Sequence, residues 1–201
     1  MDTRARPGRR ELNKLQTRER LLGATRELLA EVGAVTTVEE IAERAGVSRA
    51  TFFNYFASKD DLLAELYAAL LAQMDEVVEG LLVGDLSTEE RVVGVFADFG
   101  HHARERPSYL LAFTSALERV STSEQVAERS DRLAGLFARV LEPGLAAGEV
   151  RTDHPVPFLA RMVSAIYIAS LRQAWGREET AEFAAGFERA GRFAAEAVLV
   201  R

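Results

Sequence analysis

Apolar residues recur at helical spacing along this chain, and that pattern limits the fold more than any other feature of the sequence. Near the N-terminus, for example, Leu21, Leu28 and Val32 lie on one face of a helix. No long run of β-branched residues alternates with the period of two that a strand requires. No proline occurs between Pro7 and Pro107, so long helices can form there without interruption. The sequence therefore predicts an all-α fold.

Residues that favour helix ends divide the chain into about nine helices. Sequences typical of capping boxes begin at Thr37, Ser87 and Ser121. Glycines suited to the end of a helix stand at Gly33, Gly46 and Gly148. The predicted helices are 15–32, 38–45, 48–55, 59–82, 88–105, 108–119, 123–147, 156–175 and 180–200. Residues 1–14 are expected to form a disordered basic arm.

The composition excludes several classes of protein. The chain has no cysteine, which rules out disulfides, a thiolate nucleophile and cysteine-ligated zinc or iron–sulfur centres. Its longest uncharged apolar stretches, such as 162–171, are well short of the roughly 20 residues that a membrane-spanning helix needs. The basic N-terminus is not followed by the apolar core of a signal peptide. We therefore expect a cytoplasmic protein without a membrane partner.

Motifs of catalysis are missing as well. The sequence contains no P-loop, GxSxG, GxGxxG or HExxH pattern. Carboxylates stand one turn away from His101 and His102, but the second Glu-x-x-His copy that a di-iron helical site requires is absent. We expect no catalytic residue, no metal site and no cofactor, and an all-α enzyme is the remote alternative.

Charge is distributed unevenly along the chain. The formal net charge is −6, which does not suit a protein that binds nucleic acid over its whole surface. Residues 1–60, however, carry 11 basic and 9 acidic residues, whereas residues 61–201 carry 14 basic and 22 acidic residues. A basic end on an acidic body is compatible with nucleic-acid binding at one end only.

The segment 37–56, TVEEIAERAGVSRATFFNYF, is the most informative part of the sequence. A short predicted helix ends at Gly46, and Ser48 is suited to cap a second short helix. Two short helices joined by a tight turn that contains glycine form the plan of the helix-turn-helix. The N-terminal residues of the second helix would then meet base edges in a DNA major groove.

Residues 18–66 resemble the DNA-binding domain of TetR-type, or tetracycline-repressor-like, transcriptional regulators. The resemblance is carried by "TTVEEIAERAGVS", "TFFNYF" and "SKDDLL", each at the family's position. It implies a three-helix DNA-binding domain over 15–62 and a helical ligand-binding and dimerisation domain over 63–201. It also implies a homodimer that binds a palindromic double-stranded DNA operator and most often acts as a repressor.

The resemblance also implies which residues contact DNA. Those expected to face the groove are Arg49, Ala50, Thr51 and Asn54, and those expected near the DNA backbone are Thr36, Thr37, Ser48, Phe53, Tyr55 and Lys59. The family commonly has tyrosine where this chain has Phe53, so one hydroxyl contact with phosphate is missing. Arg49→Ala is expected to cost roughly 1–3 kcal/mol of specific binding.

In the resembled family the C-terminal helices enclose a cavity for a small-molecule effector, and such pockets are mostly apolar. The candidates to line it are Phe96, Phe99, His102, Phe113, Phe137, Met162 and Tyr167. Among these, His102 is in phase with Phe99 and is expected to point inward. A small apolar or amphipathic effector would release the DNA. The alternative is a DNA-binding module that recruits a protein partner and has no cavity.

The last predicted helix, 180–200, is apolar on more than one face and needs cover on more than one side. A two-fold interface of four helices, two from each subunit, would supply that cover, and the resembled family uses this arrangement. The candidates for the interface are Ala165, Ile168, Ala169, Phe183, Phe187, Gly191, Ala194 and Val198.

Overall fold

Nine α-helices and no strand make up the part of the chain that the computed structural model describes, residues 8–105, 107–173 and 180–200. They are α1 (Arg9–Glu31), α2 (Val38–Arg44), α3 (Arg49–Phe53), α4 (Lys59–Val83), α5 (Thr88–Glu105), α6 (Pro107–Val120), α7 (Ser123–Ala146), α8 (Val156–Gln173) and α9 (Thr180–Val198). The predicted all-α class is confirmed. None of the described helices has the length and apolar character needed to cross a membrane.

The largest difference from the predicted helices lies at the N-terminus, where α1 begins at Arg9. The expected disordered arm is therefore wrong for residues 9–14, and residues 1–7 lie outside the described part. Most of positions 9–14 are Arg, Glu, Leu and Lys, which have high helix propensity. Glu11, in the first turn, also interacts favourably with the helix dipole. These side chains are exposed, so no apolar face marked this part of the helix in the sequence.

Polar caps begin the helices at most of the expected positions. Thr37 forms a capping box before α2: its Oγ1 accepts from the backbone N of Glu40 at 3.3 Å, and Glu40 Oε2 accepts from the backbone N of Thr37 at 2.7 Å. The box predicted at Ser87 is also present. The box predicted at Ser121 is displaced by one residue, because Thr122 caps α7 instead. The capping side chains thus fix where α2, α5 and α7 begin.

The N-terminal helices surround a compact apolar cluster, which we name the head core. Its most completely buried members come from α1 to α4, namely Leu21, Leu29, Ile41, Phe52, Leu62 and Leu63. Helix α6 packs against α1 and adds Phe113, Ala116 and Leu117 to this cluster. The head core is therefore formed by α1 to α4 together with α6, a helix of the C-terminal part.

The remaining helices surround a second cluster, the body core, in which α5 packs along α9 and α7 along α8. Aromatic rings fill its centre: Phe96, Phe137 and Phe187 all surround the buried Tyr167. Each such side chain removes a large apolar area from water, which makes this cluster the main source of stability in the body.

Helix α4 takes part in both cores. Its first turns place Leu62 and Leu66 in the head core, and its later turns place Leu71 and Val78 in the body core. Tyr67 lies between these two sets and packs against both cores. One helix of 25 residues therefore joins the two ends of the molecule.

Candidate DNA interface and ligand cavity

Helix α3 lies on the outside of the head core. Gly46 closes the turn before it with a φ of +66°, a left-handed conformation that glycine adopts without strain. Ser48 caps the helix, since its Oγ accepts from the backbone N of Thr51 at 3.0 Å, and the fully buried Phe52 anchors it. Arg49, Ala50, Phe53 and Asn54 are exposed, and Thr51 and Tyr55 are half-buried. The face expected to meet the groove is therefore accessible.

Arg49 is held by two neighbours on this surface. Its Nε lies 2.9 Å from Oε1 of Glu39 in α2, and its guanidinium carbon lies 5.5 Å from the centre of the Phe53 ring. The sequence analysis did not identify Glu39, because an acidic residue in the first turn of a helix is explained by the helix dipole alone.

Thr36 is the one predicted DNA-contact residue that the head core buries. Its side chain is 2% exposed, and its Oγ1 donates to the backbone O of Gly33 at 2.8 Å. The prediction that Thr36 contacts the DNA backbone is therefore wrong for its side chain, which closes the loop after α1. Thr37, the next residue, is exposed and caps α2.

Lys59 is half-buried beneath the loop between α1 and α2. Its Nζ donates to the backbone O of Ala34 at 3.3 Å and to the backbone O of Thr36. Burial lowers the pKa of Lys59. Two of its three donors therefore hold the loop that leads into α2, and a phosphate contact would use the third.

A cavity of about 170 Å³ lies between α4, α5, α6, α7 and α8. Its deep end is formed by buried side chains: Leu71, Met74, Phe99, Leu110, Phe113, Leu133 and Tyr167. Its outer end carries more exposed and polar side chains: Glu118, Ser121, Arg129, Ser130 and Arg172. An apolar interior with a few polar groups is the usual form of a small-molecule site. The alternative without a cavity would require side chains to fill this part of the body. They do not fill it.

Tyr67 links the cavity to the connecting helix α4. Its hydroxyl donates to the backbone O of Arg129 at 3.3 Å, and the Arg129 guanidinium lies 5.7 Å from the centre of its ring. Burial raises the pKa of Tyr67, so the hydroxyl keeps its proton at neutral pH. A second, more polar pocket adjoins the cavity at Tyr67 and Arg129, and it includes Gln125 and Arg132. A ligand that moved Arg129 would therefore act directly on α4.

Three of the residues predicted to line a cavity do so: Phe99, Phe113 and Tyr167. Phe96 and Phe137 instead lie behind Tyr167, with ring centres 5.2 Å and 5.8 Å from its ring. They support the wall of the cavity without being part of the lining.

His102 and Met162 are exposed, so their prediction as lining residues is wrong. The Nδ1 of His102 lies 3.0 Å from the backbone O of Asp98 and 3.4 Å from its Oδ2, and these contacts hold the ring on the outside of α5. Met162 lies on the outer face of α8, opposite Val163 and Tyr167 on its inner face. No group of three or more potential metal ligands occurs among the described side chains.

Helix α4 contributes four residues to the cavity that were not among the residues predicted to line it. Tyr67, Leu70, Leu71 and Met74 all line it. The length of the predicted helix was the available signal, because a helix over 59–82 extends well beyond a three-helix head and must bury its later turns in the body.

The geometry of the head agrees with a known family. The family model described as "Bacterial regulatory proteins, tetR family" matches residues 21–66, from the first buried leucine of α1 to the early turns of α4. FadR of Thermus thermophilus, a TetR-family transcriptional repressor solved in complex with lauroyl-CoA, is 29% identical with a TM-score of 0.70. That match covers 92% of this chain and 96% of the other. The N-terminal domain of this chain belongs to the TetR family.

Other members of the TetR family are similar over most of the length. The transcriptional repressor KstR2 of Mycolicibacterium smegmatis is 24% identical over 150 residues, which are 73% of each chain. The transcriptional regulator BetI of Rhizobium meliloti is 31% identical over 135 residues, 65% of this chain and 63% of the other. Both relatives are named as HTH-type transcriptional proteins, and in this chain the helix-turn-helix is formed by α2 and α3.

Four of the α9 residues that were predicted to lie at the dimer interface lie inside the subunit. Phe187, Gly191, Ala194 and Val198 are buried inside the subunit, so their prediction as interface residues is wrong. At Gly191 α9 lies so close to α5 that a Cβ would come within 2.9 Å of the Cβ of Phe96. Both faces of α9 are apolar, and the sequence did not show which one the subunit covers. The Phe183 side chain lies outside the described part.

On α8 and α9, apolar residues that are exposed or half-buried form one row on each helix, and we name these two rows the outer stripe. It comprises Phe158, Met162, Ala165 and Ala169 of α8 and Gly186, Ala190, Phe193 and Ala197 of α9. Ala165 and Ala169 had been predicted at an interface and are exposed, whereas the predicted Ile168 is half-buried and lines the cavity. In each helix the rows follow the spacing of one face, and α8 and α9 are in contact.

Proposed function

We propose that this chain is a dimeric transcriptional repressor whose palindromic operator is released when an acyl-CoA enters the cavity. The cavity carries this proposal, because it combines a buried apolar end with basic side chains at its exposed end. A DNA-binding protein without an effector would have no need of such a site.

The apolar end suits an acyl chain. Leucine, methionine and phenylalanine side chains form its walls, and the hydroxyl of Tyr167 is turned toward the sulfur of Met74, 3.8 Å away. An apolar cavity of roughly 150 Å³ can hold benzene, so the 170 Å³ seen here would take a chain segment of similar size. A longer chain would require side chains such as Met74 to change rotamer, which methionine does readily.

The exposed end suits a negatively charged head group. Arg129 and Arg172 stand there, and Arg132 lines the adjoining pocket. Arg172 lies 2.7 Å from Glu118, an exposed pair that contributes little energy and can be exchanged for a phosphate. FadR of Thermus thermophilus, the relative of this chain solved with lauroyl-CoA, makes an acyl-CoA the first class of ligand to test.

The outer stripe supports a dimer. It leaves three large side chains, Phe158, Met162 and Phe193, exposed beside rows of small residues. Small residues let helices from two subunits approach closely, while the aromatic rings fill the space between them. A two-fold axis through this surface would place two copies of α3 against the two halves of a palindrome.

The α4 helix would connect the effector to the operator. It lines the cavity through Tyr67 and Met74 and supports the head core through Leu62 and Leu63. An acyl-CoA that favours one position of α4 would change the distance between the two α3 helices of the dimer. Linkage then requires that effector and operator weaken each other's binding by the same factor.

The test begins with selection of bound sites from random duplex DNA, followed by measurement of operator affinity with and without lauroyl-CoA. Lauroyl-CoA is expected to weaken operator binding at least about tenfold, within the usual range of allosteric coupling. Free CoA is expected to do so much less, because it lacks the chain that fills the cavity. If acyl-CoAs of every chain length leave operator affinity unchanged, the proposed effector class is wrong.

A pair of variants in α8 tests the position of the head group. Arg172→Gln is expected to weaken lauroyl-CoA binding while operator affinity without ligand stays unchanged. Arg161→Gln is the matched control, because Arg161 is similarly exposed and also paired with an acid, Asp131 at 3.5 Å, but does not line the cavity. Equal effects of the two substitutions would place the head group elsewhere.

A further inference from the structure

The two neighbours of Arg49 suggest a role that neither the sequence nor the family assigns to them. Glu39 reaches Arg49 from α2, and Phe53 lies one turn beyond Arg49 in α3. We propose that Glu39 and Phe53 are positioning residues that orient Arg49 to read a guanine, and that they thereby set the specificity of the operator contact. The proposal rests on the proposed function and on the expectation from the sequence that Arg49 faces the DNA groove.

The geometry of the ion pair leaves the outer end of Arg49 suitable for a base. The closest approach of Glu39 is from Oε1 to Nε, at 2.9 Å, which is not at the two terminal amino groups of the guanidinium. Those two groups form a planar fork, and a guanine presents O6 and N7 in the major groove at a matching separation. The 66% exposure of the Arg49 side chain leaves room for this contact.

Phe53 supplies the second support. Its ring stands edge-on to the buried Phe52, with ring centres 5.4 Å apart and planes at 83°, so the ring is anchored to the head core although it is 44% exposed. A guanidinium is attracted to the face of such a ring. Arg49 thus has a contact on two sides before DNA arrives. Each contact is exposed and weak by itself, and together they reduce the side-chain entropy lost on binding a base.

Glu39 also brings a negative charge to a surface that meets phosphates. Removing the charge alone would strengthen binding to every DNA sequence, because the phosphate backbone supplies the sequence-independent part of the affinity. A positioning role predicts something further, a loss of discrimination at one base pair. The two effects can be separated with Glu43, an exposed acid one turn along the same helix.

The experiment measures the affinity of the full-length dimer for the selected operator and for every single-base variant of one half-site. Arg49→Ala first identifies the base pair that Arg49 reads. Glu39→Gln is expected to reduce discrimination at that base pair about tenfold, which is within the range that a bidentate contact supplies. Glu43→Gln is expected to strengthen binding to all sequences equally and leave every preference unchanged.

Variants at position 53 test the ring. Phe53→Tyr keeps the ring face and is expected to preserve the preference that Arg49 sets, whereas Phe53→Leu is expected to weaken it. Thermal unfolding and circular dichroism confirm that each variant is folded, and Glu39, Glu43 and Phe53 are all exposed enough for substitutions to be tolerated.

The outcomes separate the positioning role from the DNA-reading role. If Arg49→Ala leaves every base preference intact, Arg49 does not read a base and both ideas fail. If Arg49→Ala removes a preference that Glu39→Gln and Phe53→Leu both retain, Arg49 reads the base without help and the positioning role alone is wrong. If Glu39→Gln changes the base preferences no more than Glu43→Gln does, Glu39 acts only through its charge and is not a positioning residue.

Discussion

The short helices of the head and the last two helices of the body differ in how many of their faces are apolar. Helices α2 and α3 have 7 and 5 residues, begin at side-chain caps and bury a single face. Helices α8 and α9 have 18 and 19 residues and are apolar on two faces. In α9, for example, Phe187 is buried and Phe193 is 63% exposed.

The difference shows what determines the orientation of a helix. A helix with one apolar face has a single orientation in which that face leaves water, so its own sequence settles the matter. A helix with two apolar faces can bury either face inside the subunit, and the helices packed against it determine which face is buried. In α9 the close approach of Gly191 to α5 commits one face to the subunit and leaves the other exposed, where we propose that a second subunit packs.

The strongest test of this comparison is truncation of the buried face of α9. Phe187→Ala is expected to reduce the free energy of unfolding by about 3–5 kcal/mol, because it opens a cavity among the rings of the body core. Phe193→Ala is the matched substitution on the outer face, and in dilute monomeric samples it should cost less than about 0.5 kcal/mol. Urea unfolding measures both. Equal losses would mean that α9 does not have an inner and an outer face.

The second test concerns the outer face itself. Phe193→Glu is expected to weaken dimer formation by about 30-fold or more, the effect of losing an interface hot spot worth 2 kcal/mol, and to weaken operator binding with it. Val83→Glu, an equivalent change at an exposed residue at the end of α4, should leave the dimer intact. Sedimentation equilibrium checks both variants. A Phe193→Glu protein that remains as dimeric as the parent would show that the subunits meet elsewhere.

The smallest expected effect concerns the caps. Hydrogen bonds from Thr37 lower the pKa of Glu40, and those from Ser87 lower the pKa of Glu90, below their ordinary value of 4.5. Each carboxylate therefore stabilises its helix above pH 4.5, and this stabilisation is lost as the pH falls through the lowered pKa.

Because α2 has only 7 residues, loss of its cap should open the helix locally, whereas the 18-residue α5 should stay closed. Hydrogen exchange, corrected for intrinsic rates, is expected to show α2 losing protection as the pH falls below 4.5. Glu40→Gln, which keeps an acceptor but does not titrate, should lose less protection over the same range. Equal pH responses of α2 in the parent and in Glu40→Gln would contradict the role given to the box.

The sequence predicted the head in more detail than the body. Caps, glycine turns and a single apolar face located α2 and α3 to within two residues and placed Arg49 and Asn54 on the surface. Thr36 was misplaced because a threonine before a helix can equally bond the preceding loop, as its contact with Gly33 shows. In the body, Met162 and Gly191 were misplaced because both faces of their helices are apolar, so periodicity could not choose between them.

Long-range contacts account for the features that the sequence left out. Tyr67 lies 62 positions from its hydrogen-bond partner Arg129, and no local pattern connects them. The same is true of Glu39 and Arg49, which belong to different helices that the turn at Gly46 brings together.

The unbroken course of α4 has a mechanical consequence. A helix of 25 residues is about 37 Å long at 1.5 Å per residue, and Tyr67, which touches both cores, lies about a third of the way along it. A tilt of about 5° around such a pivot would carry the head end roughly 1 Å sideways while the other end swings about 2 Å the opposite way. In the proposed symmetric dimer the displacements of the two heads would add, so a tilt of α4 that begins beside Met74 would change the distance between the two α3 helices.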